Sequence, residues 1–108
     1  MDGRGRRRKG HNFERRVAND LKEHFPESRR GYQSRNNQDM VPDVEIPKFF
    51  IECKAHKRTN IKAALEQARD GKKSEDDRIP LAICKDDNRP IIVAMYYDDF
   101  LELLKDLP

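Results

Sequence analysis

A single α/β domain, a mixed β-sheet flanked by helices, is what this sequence predicts, and three observations predict it. Apolar residues recur at helical spacing in three stretches. Between those stretches they alternate, or run continuously, over segments too short for helices. Pro, Gly, Asn and Asp clusters separate the two kinds, giving the order α-β-β-β-α-β-β-α. With 108 residues the chain has room for one domain and one modest core, and no internal repeat or linker divides it.

The elements can be justified in turn. Residues 1–10 are Gly- and Arg-rich and read as a basic arm, disordered without a partner, ahead of a domain over 11–108. A helix is expected from Asn12 to His24, with Asn12 as its N-cap and Phe13, Val17, Ala18 and Leu21 as its apolar stripe. Phe25-Pro26 ends it, and a strand follows over Arg30 to Arg35. Val41 to Ile46 and Phe49 to Lys54 are a tight strand pair joined by Pro47-Lys48. Thr59 or Asn60 caps a second helix with Ile61, Ala64, Leu65 and Ala68 on its buried side and Gly71 as its stop. After a charged loop, Ile79 to Cys84 and Pro90 to Tyr96 are strands around a Lys85 to Arg89 turn. Ile91 to Met95 lacks alternation, as expected of a strand buried on both faces. Asp98 or Asp99 caps a last helix carrying Phe100, Leu101, Leu103, Leu104 and Leu107, more apolar residues than covering a small core requires.

Charge narrows the function. The formal net charge is only +3, but it is unevenly spread. Arg4, Arg6, Arg7, Arg8 and Lys9 form a nearly unbroken basic run, extended by Arg15, Arg16, Arg29, Arg30 and Arg35. Acidic residues gather at Glu75 to Asp77 and near the C-terminus. That asymmetry suits a phosphate backbone on one side, with Arg4, Arg6, Arg7, Arg8, Lys9, Arg15, Arg30, Arg35, Lys57 and Arg58 as the expected DNA contacts. Cys53 and Cys84 are not joined by a second Cys or His in a zinc pattern, which argues against a zinc site and favours buried thiols in a reducing cytosol. No apolar run approaches the roughly 20 residues that span a bilayer, and no apolar signal-peptide core follows the N-terminus. The expectation is a soluble cytoplasmic protein with no membrane partner and no small-molecule cofactor.

The chemistry is concentrated in Pro42-Asp43 and Glu52-Cys53-Lys54. If Ile46 pairs with Phe49 across the short turn, opposed positions sum to 95 and Asp43 lies opposite Glu52. Opposed residues have Cβ atoms about 4.5–5.5 Å apart, so one cation can bridge both carboxylates. Glu52 and Lys54 share the face of Asp43, while Val44, Ile46, Phe49, Ile51 and Cys53 form the apolar face. A slip of one residue would separate the pair, leaving Glu45 as the fallback ligand. Glu14 stands three, four and seven residues before Val17, Ala18 and Leu21, on the inward face of the first helix. A glutamate there either reaches solvent near the helix N-terminus or serves a metal. Asp43, Glu52 and the main-chain carbonyl of Cys53 would hold Mg²⁺ against a phosphate oxygen, where it polarises the phosphorus and acidifies a bound water. Lys54 would orient that water or stabilise the charge of the transition state, and Glu14 would bind a second metal or its water shell.

Phe13-Glu14-Arg15, Pro42-Asp43 and Glu52-Cys53-Lys54 together resemble the PD-(D/E)xK nuclease superfamily. The basic arm, the Gly10 to Arg15 opening and the helix after the Lys strand are most similar to archaeal-type and phage Holliday junction resolvases, over roughly residues 10 to 70. One departure is Asn36-Asn37-Gln38-Asp39-Met40, where archaeal-type resolvases carry small residues before the metal Asp. The resemblance implies a restriction-endonuclease-like domain and phosphodiester cleavage dependent on Mg²⁺, with Mn²⁺ as a substitute. It also implies a homodimer acting on branched DNA, from a phage or similar source, and a role for Gln67 as the polar residue of the helix after the catalytic strand.

Overall fold

The computed structural model describes residues 3–31 and 41–108. Its elements are α1 (Gly3–Leu21), β1 (Arg29–Arg30), β2 (Val44–Glu45), β3 (Phe49–His56), α2 (Ile61–Gly71), β4 (Ile79–Asp86), β5 (Ile92–Ala94) and α3 (Tyr97–Leu104), in the order the sequence patterning predicts. One five-stranded sheet runs β1-β2-β3-β4-β5. Its strands pair antiparallel except for the parallel central pair β3–β4, so α2 is the crossover between those two.

Alternation along the central strands builds two cores, one on each face. Val44, Ile51, Cys53, Ala55, Leu81 and Ile83 point to one side, where Phe13, Val17 and Ala18 of α1 cover them. Ala82 and Cys84 point to the other, under Ala64 and Leu65 of α2. The α1–sheet–α2 sandwich is consistent with a restriction-endonuclease-like fold. Asn60 is the N-cap of α2, its side chain accepting from the Ala63 amide at 3.0 Å. Thr59 turns instead to β4, donating its amide and hydroxyl to Asp86, which ties the start of α2 to the end of the strand.

Several elements differ from the sequence pattern. The helix expected at Asn12 begins at Gly3, so the described part of the arm is helical. Arginine and lysine are good helix formers, and the extension has a tertiary anchor because Lys9 pairs with Asp87 on the β4–β5 turn. Asn12 is therefore an interior residue, accepting from Arg15 at 3.1 Å. β1 is only Arg29–Arg30, and Arg35 and the rest of the strand expected there lie outside the described residues. β2 is shorter than expected, since Pro42 has no N–H to give a ladder. β5 covers three residues and forms the edge of the sheet, with Ile92 and Val93 exposed, so it is not buried on both faces. Tyr96, not Asp98 or Asp99, holds the N-cap position of α3; the two aspartates sit in its first turn, where they suit the helix dipole. Asn88 takes φ 62°, a left-handed conformation that Asn tolerates in the β4–β5 turn.

Candidate active site

The strand pair has the register that the charged face requires. Val44 is opposite Ile51 and Glu45 opposite Phe50, so opposed positions sum to 95, and just before this ladder Asp43 shares a side-chain hydrogen bond with Glu52. The Asp43 amide donates to Ile51 O at 2.8 Å, one position off that series, so the ladder slips by a residue at the bend where Asp43 sits. On the other side the Gly31 amide donates to Asp43 O at 2.9 Å. Gly31 has no substitute here, because a Cβ on it would stand 1.8 Å from Pro42 O. The Asp43 main chain is thus clamped between β1 and β3, and its carboxylate accepts from the Cys53 amide at 2.9 Å.

Asp43 and Glu52 are 9% and 8% exposed, the two buried acids of the described residues. Burial pushes the Glu52 carboxyl up to about 7, helped by the negative charge of Asp43 and a hydrogen bond shared with it. Lys54 opposes the shift, its Nζ lying 3.5 Å from Glu52 Oε1. Burial likewise raises the Cys53 thiol, reinforced by Asp43, Glu14 and Glu52, so this cysteine packs as an inert apolar residue. Two carboxyls forced together out of water are costly unless a proton or a cation lies between them.

Glu14 is brought to the same region by α1 but is held by a different partner. Arg30 of β1 donates its Nε to Glu14 Oε2 at 3.0 Å in a partly buried ion pair. The Glu14 carboxyl is raised by burial and by Asp43, with Arg30 pulling the other way. Among the described residues no three His, Cys, Asp or Glu side chains stand close enough to hold a metal ion, so the three-carboxylate set expected from sequence is not preassembled. Asp43 and Glu52 alone still fit a hard divalent ion, since Mg²⁺ binds through one or two carboxylates and keeps several waters. Gln67 is exposed on α2, beside the buried Ala68.

The expected basic contacts sit on two segments, α1 and the chain just past β3. Arg4, Arg6, Arg7, Arg8 and Arg15 are exposed on α1, and Lys57 and Arg58 are exposed just past β3. Arg6, Lys9, His56 and Lys57 line a cleft of 440 Å³ together with Ala55 and Asp87. That cleft opens at the end of β3 toward which Lys54 leads. Arg30 is committed to Glu14, and Arg35 lies outside the described residues.

Sequence reasoning missed Gly31 and Arg78. Arg78 bonds Asp76, Glu45 and Ile46 O and stacks over the Phe50 ring at 5.2 Å, fixing the strand pair from the end opposite the cleft. Nothing local marks Gly31, and although Arg78 bonds its neighbour Asp76, its hold on Glu45 and Ile46 O reaches chain distant in sequence.

The chain matches over residues 5–107 the family described as "phage putative PDDEXK endonuclease". It belongs to that family. Membership in the PD-(D/E)xK nuclease superfamily accords with the α1–sheet–α2 architecture and with Asp43, Glu52 and Lys54 on one strand pair. No curated protein and no solved structure matches the chain. Among the described residues no helix is long and apolar enough to cross a membrane.

Proposed function

We propose that this PDDEXK protein is a Mg²⁺-dependent DNA endonuclease that hydrolyses phosphodiester bonds in branched DNA, as a homodimeric Holliday junction resolvase does. The observation that carries the reading is the buried Asp43–Glu52 pair with Lys54 beside it. A protein that only bound DNA would gain nothing from burying two acids next to a polyanion.

The division of labour follows from the side chains. Asp43, Glu52 and the Cys53 carbonyl would hold the cation, which would supply Lewis acidity at a phosphate oxygen and acidify a water. The Cys53 amide fixes the Asp43 carboxylate, so one ligand is oriented before the ion arrives. Lys54 leaves Glu52 for the substrate, orienting the attacking water or offsetting the charge gathering on the phosphorus. Glu14, once released by Arg30, would bind a second metal or the water shell of the first, and Gln67 would flank the substrate. The basic face of α1, with Lys57 and Arg58, carries the phosphates beyond the scissile bond.

The test is a labelled four-way junction compared with linear duplex and single-stranded DNA, each in Mg²⁺, Mn²⁺ and EDTA. Paired symmetric nicks confined to the junction, and lost in EDTA, are the expected result. Equal cleavage of every substrate would leave an endonuclease and remove the junction preference. Tight binding without cleavage of any substrate would overturn the catalytic reading.

A further inference from the structure

Three clefts meet at Asp87, on the turn between β4 and β5. Lys57, Arg58 and Arg89 are the cations of one, of 490 Å³; Arg6, Lys9 and Lys57 those of another, of 440 Å³; Lys9, Arg16 and Lys85 those of the third, of 480 Å³. Asp87 lines all of them, so seven cations surround two carboxylates, Asp86 and Asp87. Asp86 is committed to the fold, accepting from the amide and hydroxyl of Thr59. Asp87 faces Lys9 of α1, its side-chain partner among the described residues. The backbone beneath that carboxylate is fixed. The Asp87 amide donates to His56 O at 3.2 Å, the Arg89 amide closes the turn on Asp86 O at 3.1 Å, and Asn88 takes φ 62°. We propose that the β4–β5 turn is the second wall of a groove for the DNA backbone, opposite α1, and that Asp87 fills the place of a phosphate there until DNA takes Lys9 from it.

Shape and charge choose the occupant. Three adjoining basic clefts suit a polymer with a charge at every step rather than a single anion. Lys57 follows Lys54 by three residues, about 10 Å of extended chain, which is about three nucleotide steps of a duplex. DNA as the polymer rests on the endonuclease reading above. Lys85 is committed to the Asp86 carbonyl and Arg16 faces Asp20, so the new contacts fall to Arg6, Lys57, Arg58 and Arg89. None of these four forms an ion pair with another described residue. The Thr59 hydrogen bonds hold the Asp86 carboxyl below its ordinary value, and Arg58 and Arg89 add only a weaker pull through space. The Lys9–Asp87 pair is easily exchanged, because its side chains are 30% and 47% exposed and exposed pairs contribute little. A phosphate that takes Lys9 leaves the Asp87 carboxylate to gather a cation of its own. The cation released from the DNA is thereby largely offset, so Lys9 adds little to the salt dependence of binding while Asp87 is present.

Fluorescence anisotropy of the full chain with a labelled linear duplex, in EDTA over a salt series, tests the groove without any cleavage. One phosphate contact has a salt slope of about 0.9, worth roughly eightfold in affinity at 0.1 M salt relative to 1 M. Asp87→Asn is expected to tighten binding by about that factor and to steepen the plot of log affinity against log salt by about 0.9. In a chain that also carries Lys9→Ala the gain from Asp87→Asn should vanish, because Lys9 is the group set free. Mere relief of repulsion between Asp87 and phosphate would keep the gain in both backgrounds. Arg89→Ala is expected to weaken binding roughly eightfold and to flatten the plot by about 0.9. Arg89 is exposed, so this variant carries the test even if the Asp87 variants fail to fold. A wild type that does not bind the duplex, a folded Asp87→Asn that binds no tighter, a gain independent of Lys9, or an Arg89→Ala that binds like wild type would overturn the proposal. Binding that behaves as expected while no DNA is cut in Mg²⁺ would leave the groove standing and sink the endonuclease reading instead.

Discussion

Replacing Glu52 by Gln should stabilise the cation-free protein while abolishing its proposed activity. The Glu52 carboxyl is raised from the ordinary 4.5 to about 7 by burial and by Asp43. A raised carboxyl holds its proton in the fold and loses it in the unfolded chain. Its unfavourable contribution is therefore absent below about pH 4.5, grows as the pH rises toward 7, and stays constant above. At about 1.36 kcal/mol per pH unit the upper bound is roughly 3 kcal/mol. That value already includes the opposing contact with Lys54, and residual solvent screening reduces the effect to about 2 kcal/mol. For a domain of this size that is a melting temperature roughly 10 °C higher for Glu52→Gln at pH 8 in EDTA. At pH 4.5 the difference should nearly vanish. Mg²⁺ should then raise the melting temperature of the wild type at pH 8 and leave the variant where it is. Differential scanning fluorimetry across this pH series reads all three effects. A variant no more stable than wild type at pH 8 in EDTA would refute the claim that the Asp43–Glu52 pair is electrostatically strained.

Three other variants probe the scaffold and the basic face. Gly31→Ala forces its new Cβ against Pro42 O, which must move by more than an ångström, so a loss of about 3 kcal/mol by denaturant titration and a displaced Asp43 are expected; wild-type stability would contradict the β1 clamp. The Tyr96 hydroxyl is buried without a hydrogen-bond partner among the described residues, so Tyr96→Phe should gain about 1 kcal/mol by the same assay; a loss would mean that the hydroxyl is satisfied. Lys57→Ala with Arg58→Ala should weaken binding of all DNA substrates alike and flatten the plot of log affinity against log salt by about 2; an effect on one substrate alone would assign these residues to recognition of shape.

The strand pair was the most legible part of the chain. A two-residue connection and a side-chain period of two leave one register that buries Val44, Ile46 and Ile51 together, and it leads Asp43 to a side-chain contact with Glu52 although the ladder slips by one residue there. The α2 cap and its buried Ala64, Leu65 and Ala68 were legible for a similar reason, since spacing and capping act within a few residues. The start of α1 was not. A run of Gly and Arg has the composition of a disordered tail, and the contact that anchors it joins Lys9 to Asp87, 78 residues away. The Glu14–Arg30 pair was hidden in the same way, because each residue alone suggested a different role. For β5 the pattern misled. An unalternating apolar run marks a strand with two faces to cover, and within one chain Ile92 and Val93 are left bare.

The most direct test of the central claim is cleavage and binding measured side by side for Asp43→Asn and Lys54→Ala in Mg²⁺. If Asp43, Glu52 and Lys54 form a metal-dependent phosphodiesterase centre, cleavage should fall by at least a hundredfold in both variants. DNA affinity should hold, or rise for Asp43→Asn as a buried negative charge is removed. Cleavage that persists in either folded variant would place the chemistry elsewhere in the molecule.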